Sequence, residues 1–397
     1  MKVVQINCYA SGSTGNIAKA IHRRLLDDGH ESYIFYEVGN ATEKNMFRIG
    51  NYFELHSHAV LARNLGRHGY FSHIPTCRLV RKLRKISPDV IHLHNLHGSY
   101  LNLPILFRYL EKSAIRVIIT MHDCWLFTGK CPHFTFVQCE KWKETCGNCP
   151  QLASSPRCKI DTTKKCLEDK KRWLTALSDV TLVTPSQWLA DLVKESFLRD
   201  CSVKVIHNGI DLSVFKPTES DFRARHHISE SKKIILGVAF GWNVRKGLDV
   251  FVEMATRLDA QKYQIVLVGT DDSVDKQLPA SIISIHRTHN QKELAEIYTA
   301  ADLFVNPTRE DTYPTVNMEA IACGTPVLTF RTGGSPEIPN ATSGAVVDCD
   351  DIDALEKELV HICETLPYSK EMCLKRANEF DMTRRFREYI DLYTIVS

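Results

Sequence analysis

Residues 309–337 read REDTYPTVNMEAIACGTPVLTFRTGGSPE and follow the apolar run Leu303–Val305. The pattern predicts a buried strand, a turn and then a helix that begins near Thr315. Asp311 and Glu319 bracket this turn. A helix start offers free backbone N–H groups to phosphate, and carboxylates accept hydrogen bonds from sugar hydroxyls. The stretch therefore favours a nucleotide-sugar site, with an ordinary turn acid and a solvated helical Glu as the alternative.

The same alternation of strand and helix patterns runs along the whole chain. Short apolar runs, typical of buried parallel strands, form two series that predict two doubly wound α/β domains. The joint falls near HNGIDLSVFKP, residues 207–217, whose Asn-Gly and Pro are typical of a linker. The predicted strands are Val3–Ile6, Tyr33–Tyr36, Val90–Leu93, Val117–Ile119, Leu182–Val183 and Val203–Ile206, then Ile234–Val238, Ile265–Val268, Ile282–Ile285, Leu303–Val305 and Val327–Phe330.

Composition describes a soluble globular protein with room for two domains: 397 residues, 44% hydrophobic and 24% charged. A net charge of +3 gives no reason to expect nucleic acid as a partner. The chain has no apolar run long enough to span a membrane, and its amino terminus has the pattern of a first strand, not of a signal peptide. We expect a cytoplasmic protein.

A small-residue loop follows the first predicted strand. It contains Gly12, Ser13 and Gly15 and leads into a helix that begins near Ile17. Such a loop lets the backbone approach a phosphate or a sugar, and the helix dipole favours an anion. A plain strand-to-helix turn is the alternative.

A cationic pair follows the first strand of the second series. Arg245 and Lys246 lie in VAFGWNVRKG, and two cations there can neutralise a diphosphate as its bond to a sugar breaks. An exposed helix start is the alternative for these two residues. Arg287 and His289 follow a later strand of the same series.

Histidines gather after two strands of the first domain. His92, His94 and His97 lie in HLHNLHG, and His122 precedes Asp123 in TMHDCW. A histidine cluster invites a metal hypothesis. Period-2 alternation places His92 and His94 on one strand face, which favours the core for both. His97 lies beyond the strand.

Four cysteines form a cluster within nineteen positions. Cys131, Cys139, Cys146 and Cys149 end in a CxxC pair, which suits tetrahedral zinc. Four thiolates leave no open coordination position, so the zinc would be structural. Free thiols, or disulfides formed on oxidation, are the alternative.

The stretch from Leu55 to Pro88 is basic and has no acidic residue. Its Arg78–Lys85 part predicts an amphipathic helix whose cations lie opposite Leu79 and Leu83. We expect this helix to attract an anionic membrane surface, and a solvated helix face is the alternative.

Taken together, these motifs resemble the retaining glycosyltransferases of family 4, which have the GT-B fold of two Rossmann-like domains around an interdomain cleft. The resemblance covers the entire chain and rests on two carboxylates with seven residues between them. It implies that Asp311 contacts the donor sugar and Glu319 the ribose. Two residues depart from the family pattern: the first acid is Asp instead of Glu, and Phe240 occupies the position of a family arginine.

The resemblance implies roles for the other motifs. His122 takes the place of a cleft histidine that approaches the donor sugar, and His97 and Asp123 become acceptor-site candidates. Lys246, with Arg245 as a substitute arginine, grips the diphosphate without a catalytic metal. The remaining donor-binding candidates are Gly12, Ser13, Gly15, Arg287, His289, Thr315, Val316 and Asn317. The Cys-rich insert, about residues 124–166, resembles a subgroup associated with bacterial exopolysaccharide assembly.

The expected domains are 1–209 on the acceptor side, 210–375 for the nucleotide sugar, and a helix, 376–397, that returns to the first domain. The expected activity is that of a retaining, hexosyltransferase-type glycosyltransferase that uses a nucleoside-diphosphate sugar and a lipid-linked glycan. We expect the protein to bind peripherally to the inner face of the cell membrane. A same-fold epimerase or phosphorylase, or a non-catalytic scaffold, remains as an alternative.

Overall fold

The computed structural model describes residues 1–113 and 115–394. Two compact units make up the chain. Unit 1 holds Met1–Ile206 together with the chain from Phe386 onward, and unit 2 holds His207–Arg385. No helix within the described ranges is both long and apolar enough to cross a membrane.

Unit 1 is built on a seven-stranded parallel sheet of order β3-β2-β1-β4-β5-β6-β7. Its strands are β1 Lys2–Tyr9, β2 Glu31–Val38, β3 Met46–Arg48, β4 Val90–Leu93, β5 Arg116–Thr120, β6 Val180–Thr184 and β7 Ser202–Val205. Its helices are α1 Gly12–Asp27, α2 Tyr52–Leu65, α3 His73–Ile86, α4 Leu103–Glu111, α5 Thr163–Thr175 and α6 Gln187–Glu195.

Unit 2 repeats the scheme with a six-stranded parallel sheet of order β10-β9-β8-β11-β12-β13. Its strands are β8 Lys233–Val238, β9 Tyr263–Val268, β10 Ile283–Ile285, β11 Leu303–Asn306, β12 Val327–Phe330 and β13 Gly344–Val347. The remaining helices are α7 Phe222–Arg225, α8 Leu248–Arg257, α9 Asp272–Asp275, α10 Gln291–Ala300, α11 Thr315–Ala322, α12 Ile352–Thr365, α13 Lys370–Ala377 and α14 Met382–Thr394.

Every predicted strand is present, so the doubly wound α/β prediction is confirmed. The apolar runs of the interior strands are buried on both faces because helices cover each parallel sheet. The edge strands β7 and β10 are only partly buried. Two short edge strands, β3 and β13, were not predicted. In β3 only Met46 is buried, and β13 begins with Gly344, so neither carries the continuous apolar run of an interior strand.

The strand order identifies where each unit can hold a ligand. In unit 1 the order reverses between β1 and β4, and in unit 2 it reverses between β8 and β11. Ligands of open α/β sheets bind at such a point, beyond the carboxyl ends of the strands. The loops after these four strands carry most of the candidate residues.

Candidate active site

In unit 2, two loops at the switch point hold the charged candidates. After β8, Asn243 begins a short 3₁₀ turn, Val244–Lys246, by accepting a hydrogen bond from the Lys246 N–H at 3.2 Å. Gly247 then takes φ +78°, and a Cβ there would lie 2.4 Å from the Pro307 carbonyl oxygen, so only glycine lets the two loops meet.

The two loops are joined by oppositely charged side chains. Lys246 Nζ lies 2.7 Å from Asp311 Oδ2, and Arg245 Nη1 lies 3.5 Å from Glu310 Oε2. Arg309 also donates two hydrogen bonds of 2.8 Å to the carboxylate of Asp249. The predicted residues Arg245, Lys246 and Asp311 are thus brought together from positions about sixty residues apart.

Helix α11 begins at Thr315, four residues after Asp311. Pro314 gives it no side-chain cap. The Asn317 N–H donates to the Pro314 carbonyl at 3.2 Å, so it is engaged within the turn. Of the three predicted backbone donors, Thr315 and Val316 therefore remain as the free N–H groups that an anion can use.

Three buried polar side-chain atoms in this region have no hydrogen-bond partner in the described part of the chain. They are Thr312 Oγ1, Asn317 Nδ2 and Ser335 Oγ. The Asn317 amide oxygen accepts from Asn306 at 2.7 Å, which leaves its nitrogen as the group without a partner. Buried polar groups are rarely left unsatisfied, so this concentration is typical of a ligand site.

Glu319 lies on α11 and contacts α10. The Tyr298 hydroxyl donates to Glu319 Oε2 at 3.1 Å, and Tyr298 itself is fully buried. Burial raises the pKa of Glu319 to about 7, although the hydrogen bonds from Tyr298 and Thr315 act in the opposite direction. The carboxyl group is therefore present in both protonation states near neutral pH.

Arg287 and His289 lie apart from this group. They follow β10, the edge strand two positions from β8 in the sheet, and both are exposed. The His289 N–H donates to Glu293 Oε2 at 2.6 Å, which is a local helix-start bond. No bond described for either residue connects it with Lys246 or Asp311.

In unit 1, the loop after β1 forms the start of α1. Gly12 takes φ +81° and Ser13 is exposed. A Cβ at Gly15 would lie 2.8 Å from the backbone of Tyr9 and Ala10, so the helix can approach the strand end only with glycine there. The Ser11 side chain makes no cap bond, which leaves the helix start open to an anion.

His122 lies after β5 and forms a chain with two buried side chains. His122 Nε2 lies 3.1 Å from His94 Nδ1, and His94 Nε2 lies 3.1 Å from Gln5 Oε1. Burial lowers the pKa of His122 to about 4 and that of His94 well below its usual value. His92 is in the core, bonded to Tyr393 and Thr120 at 2.6 and 2.7 Å.

His97 and Asp123 form an ion pair at 2.8 Å, and the Trp125 N–H donates to the other oxygen of Asp123 at 2.9 Å. Burial opposes charge on both groups. The attraction between the two side chains outweighs this effect of burial. Asp123 raises the pKa of His97, and His97 lowers the pKa of Asp123 to about 2. Both oxygens of Asp123 are thereby engaged, and neither bonds to His122.

The four predicted cysteines line one cavity of about 20 Å³ between β5 and α5. The Gly129 N–H donates to Cys146 Sγ at 3.3 Å, and a bond from the Cys131 thiol lowers the pKa of Cys149. Among the described residues, the one group with three ligand atoms within 4.8 Å of one another is Asp272, Asp275 and His286. No three of the cysteine sulfurs in the described part of the chain form such a group.

Several site residues were not predicted from the sequence. Glu310 contacts the candidate Arg245, and Tyr298 contacts the candidate Glu319. Gln5 contacts His94. His94 had been assigned to the core, and it is buried, yet it also bonds to His122. An acid beside Asp311 was visible in the sequence, but nothing local marks Tyr298 or Gln5.

Comparison with known proteins identifies families for both units. Residues 14–214 match the family described as Glycosyltransferase Family 4, and residues 232–365 match the family described as Glycosyl transferases group 1. The colanic acid biosynthesis glycosyl transferase WcaC of Escherichia coli (strain K12) is 24% identical over 370 residues, covering 89% of this chain and 88% of that protein.

Solved structures share the fold. Sucrose-phosphate synthase from Thermosynechococcus elongatus superimposes with a TM-score of 0.70 and 16% identity, covering 99% of this chain and 98% of that one. HepE from Anabaena, solved in complex with UDP, gives a TM-score of 0.68 and 13% identity with 99% of each chain covered. Together with the family matches, these likenesses confirm the GT-B assignment.

Proposed function

Because the chain belongs to glycosyltransferase family 4, we propose that it moves a sugar from a nucleoside-diphosphate donor to a glycan acceptor, with retention of the anomeric configuration. The acceptor is lipid-linked, and the product enters a bacterial surface polysaccharide. The relative in colanic acid biosynthesis supports this class of product. The UDP complex of the Anabaena protein supports a nucleotide donor.

The observation that carries the proposal is the Lys246–Asp311 pair, 2.7 Å apart beside the open start of α11. When no nucleotide sugar is bound, the Lys246 ammonium and the Asp311 carboxylate neutralise each other. A diphosphate would replace Asp311 as the partner of Lys246, and the released carboxylate would accept a hydrogen bond from the donor sugar. Glu319 would hold the ribose through its hydroxyls.

Catalysis then follows from charge development. As the bond between the anomeric carbon and the phosphate oxygen breaks, negative charge grows on the departing diphosphate. Lys246, Arg245 and the N–H groups of Thr315 and Val316 stabilise that charge most strongly at the transition state. The departing phosphate oxygen takes the proton of the incoming hydroxyl while the new glycosidic bond forms on the same face. No metal takes part in this route.

On the acceptor side, His97 and Asp123 supply a charged, hydrogen-bonded pair at 2.8 Å. We propose that this pair binds the hydroxyl groups of the acceptor glycan. The small-residue loop of Gly12, Ser13 and Gly15 instead offers backbone N–H groups to the nucleoside-diphosphate sugar.

The cysteine cluster would hold a structural zinc. Its cavity of about 20 Å³ can hold one ion. Burial raises the pKa of the Cys146 thiol, and the Gly129 N–H that donates to its sulfur acts in the opposite direction. Cys131, Cys139, Cys146 and Cys149 would hold the ion as four thiolates. Its binding would join the separate parts of the insert that carry these residues.

We propose that unit 1 contacts the anionic inner face of the cell membrane. On α3, Leu79 and Leu83 are buried while Arg81, Arg84 and Lys85 are exposed. Large apolar side chains nearby are also exposed, with Phe53 at 78% and Ile74 at 61%. Cations beside exposed apolar groups fit the headgroup region of a bilayer.

The test begins with thermal unfolding of zinc-replete protein in the presence of UDP-, GDP-, ADP- and dTDP-sugars, followed by turnover with lipid-linked glycans. Saturable stabilisation by one nucleotide family identifies the donor. We expect Lys246→Ala to lower kcat/KM by about 10²–10³-fold. Lys276→Ala, which removes an exposed cation elsewhere in unit 2, is the control.

Product analysis separates the alternatives. Release of a free epimer or a sugar phosphate without any acceptor would indicate an epimerase or a phosphorylase. Full turnover by Lys246→Ala would disprove the assignment of the diphosphate site. Failure of every donor to stabilise the folded protein would favour the non-catalytic scaffold.

A further inference from the structure

We infer that Gln5 and His94 are positioning residues that keep the proton of His122 on Nε2, so that its Nδ1 accepts a hydrogen bond from a hydroxyl of the transferred sugar. The inference deepens the proposed function and rests on it for the identity of the substrate. It assigns a side chain of β1, Gln5, and one that directly follows β4, His94, a part in sugar specificity.

The chain begins with the orientation of the Gln5 amide. Gln5 is fully buried on β1, and its Nε2 lies 2.9 Å from the backbone carbonyl oxygen of Ala18 on α1. A carbonyl oxygen can only accept, so the amide nitrogen must face Ala18. The amide oxygen, Oε1, therefore faces His94 and can only accept from it.

The orientation of Gln5 determines the tautomer of His94. At 3.1 Å from the amide oxygen, His94 Nε2 must carry the proton to make a hydrogen bond. A neutral imidazole has one N–H, so His94 Nδ1 then holds a lone pair. The reversed tautomer would place two lone pairs against each other in a buried location, which costs free energy without a compensating bond.

The tautomer of His94 in turn determines that of His122. His94 Nδ1 accepts across 3.1 Å, so His122 Nε2 must donate. The inference requires both rings to be neutral, and burial keeps them so, since it lowers the pKa of each. Nearby Asp123 opposes this effect on His122, while His97 reinforces it.

His122 Nδ1 is consequently an acceptor, and no bond to it is present among the described residues. The ring is half-buried, unlike His94, which is 3% exposed. A hydroxyl can donate to this nitrogen, whereas a carboxylate or a carbonyl presents only lone pairs to it. The donor sugar should therefore carry a free hydroxyl at the position that meets His122, and a uronic acid carboxylate there should be rejected.

The first arm of the test measures the tautomer directly. Protein labelled with ¹⁵N-histidine gives the ring nitrogen shifts, and the signals of His122 are identified by their loss in His122→Gln. We expect a protonated Nε2 and an unprotonated Nδ1 in the wild-type chain, and a mixture in Gln5→Met, which removes the acceptor for His94. A proton on Nδ1 in the wild-type chain would overturn the inference.

The second arm measures specificity with monodeoxy analogues of the donor sugar. We expect one analogue to lower kcat/KM about tenfold in the wild type, the effect of one hydrogen bond. Gln5→Met should lose most of this discrimination. His22→Gln is the matched control, since His22 is another buried histidine of unit 1 with two partners, Ser32 and Lys44.

Equal discrimination by Gln5→Met and the wild type would refute the positioning role. Should Gln5→Met fail to fold, His94→Phe keeps the ring shape and removes both nitrogens, so the same comparison is made with it. If no donor sugar is turned over at all, the proposed function fails, and the sugar contact fails with it. The NMR arm still decides whether Gln5 and His94 control the tautomer.

Discussion

Among single residues, Glu319 couples the candidate donor site to pH. Its carboxyl group accepts from the fully buried Tyr298, and burial raises its pKa to about 7. Only the ionised form can accept hydrogen bonds from both ribose hydroxyls with all its lone pairs. Donor binding should therefore favour loss of the proton.

We expect the affinity for an intact nucleoside-diphosphate sugar to rise about tenfold between pH 6 and pH 8, because the ionised fraction of Glu319 rises by that factor. Calorimetric titration measures it. An intact sugar nucleotide is preferred because the terminal phosphate of a free diphosphate titrates near pH 6. If Glu319→Gln showed the same rise in affinity with pH, the prediction would be contradicted. The control is Glu364→Gln, an exposed change on α12, which should leave the pH dependence of the affinity unchanged.

The effect of Glu319 on folding has the opposite sign. Its pKa is higher in the folded chain than in the unfolded one, so the folded state binds more protons between these two values. The contribution of Glu319 to the free energy of unfolding is thus fully present at low pH and is lost as the pH rises through about 7. Stability and donor affinity should therefore change in opposite directions over this range.

At the scale of elements, the insert between β5 and α5 contains only two short 3₁₀ turns, Trp125–Phe127 and Lys141–Lys143. Lys141 stabilises one turn of the insert, because its ammonium donates hydrogen bonds to the backbone carbonyl oxygens of Gly147 and Asn148, at 3.0 and 2.9 Å. A segment with so little regular structure gains most from a metal that ties distant residues together.

We expect one zinc ion per chain by elemental analysis, and a fall of about 5 °C or more in the melting temperature of unit 1 when a chelator removes it. Cys149→Ser should lose the zinc and melt at the lower temperature without chelator. Cys201→Ser, half-buried outside the cluster, should retain both properties. A zinc-free wild-type chain with unchanged melting would favour free thiols.

Helix α3 is the element that the membrane proposal concerns. Each exposed cation near an anionic surface contributes about 1 kcal/mol. Replacing Arg81, Arg84 and Lys85 by Gln should therefore weaken binding to phosphatidylserine vesicles by roughly a hundredfold. Sedimentation with vesicles measures it, and added salt should weaken the wild type in the same way.

The matched control replaces three exposed lysines of unit 2, which lowers the net charge equally. Those residues are Lys262, Lys276 and Lys357. Equal loss of vesicle binding in both triple variants would mean that net charge, and not α3, is responsible. If the protein bound uncharged vesicles as strongly as anionic ones, the exposed apolar side chains, such as Phe53, would contribute more to membrane binding than the cations.

At the scale of the whole molecule, each unit has its own sheet and core. A ligand stabilises the part of the protein that binds it, by about 2.7 kcal/mol at a hundred times its Kd. We expect a sugar nucleotide to slow hydrogen exchange in residues 243–247 and 311–322. Zinc removal should speed exchange in residues 124–166 of unit 1. If zinc removal raised the rate of hydrogen exchange in unit 2 as much as in unit 1, the two units would not respond separately.

The sequence by itself determined the two sheets and the location of the motifs. A strand buried between two helical layers is apolar along its length, so its pattern is visible without any knowledge of its neighbours. Residues that follow such strands lie at one edge of the sheet. The strands β3 and β13 escaped because neither has a continuous apolar run: only Met46 of β3 is buried, and β13 begins with Gly344.

Only the tertiary structure decided which side chains meet. Lys246 and Asp311 are 65 residues apart in the chain, and Gln5 and His94 are 89 apart. Their contacts depend on strand order: β8 lies beside β11, and β1 lies beside β4. Local patterns record whether a residue is buried, but a hydrogen bond also needs two atoms at the right distance and angle, and that geometry exists only once the strands have paired.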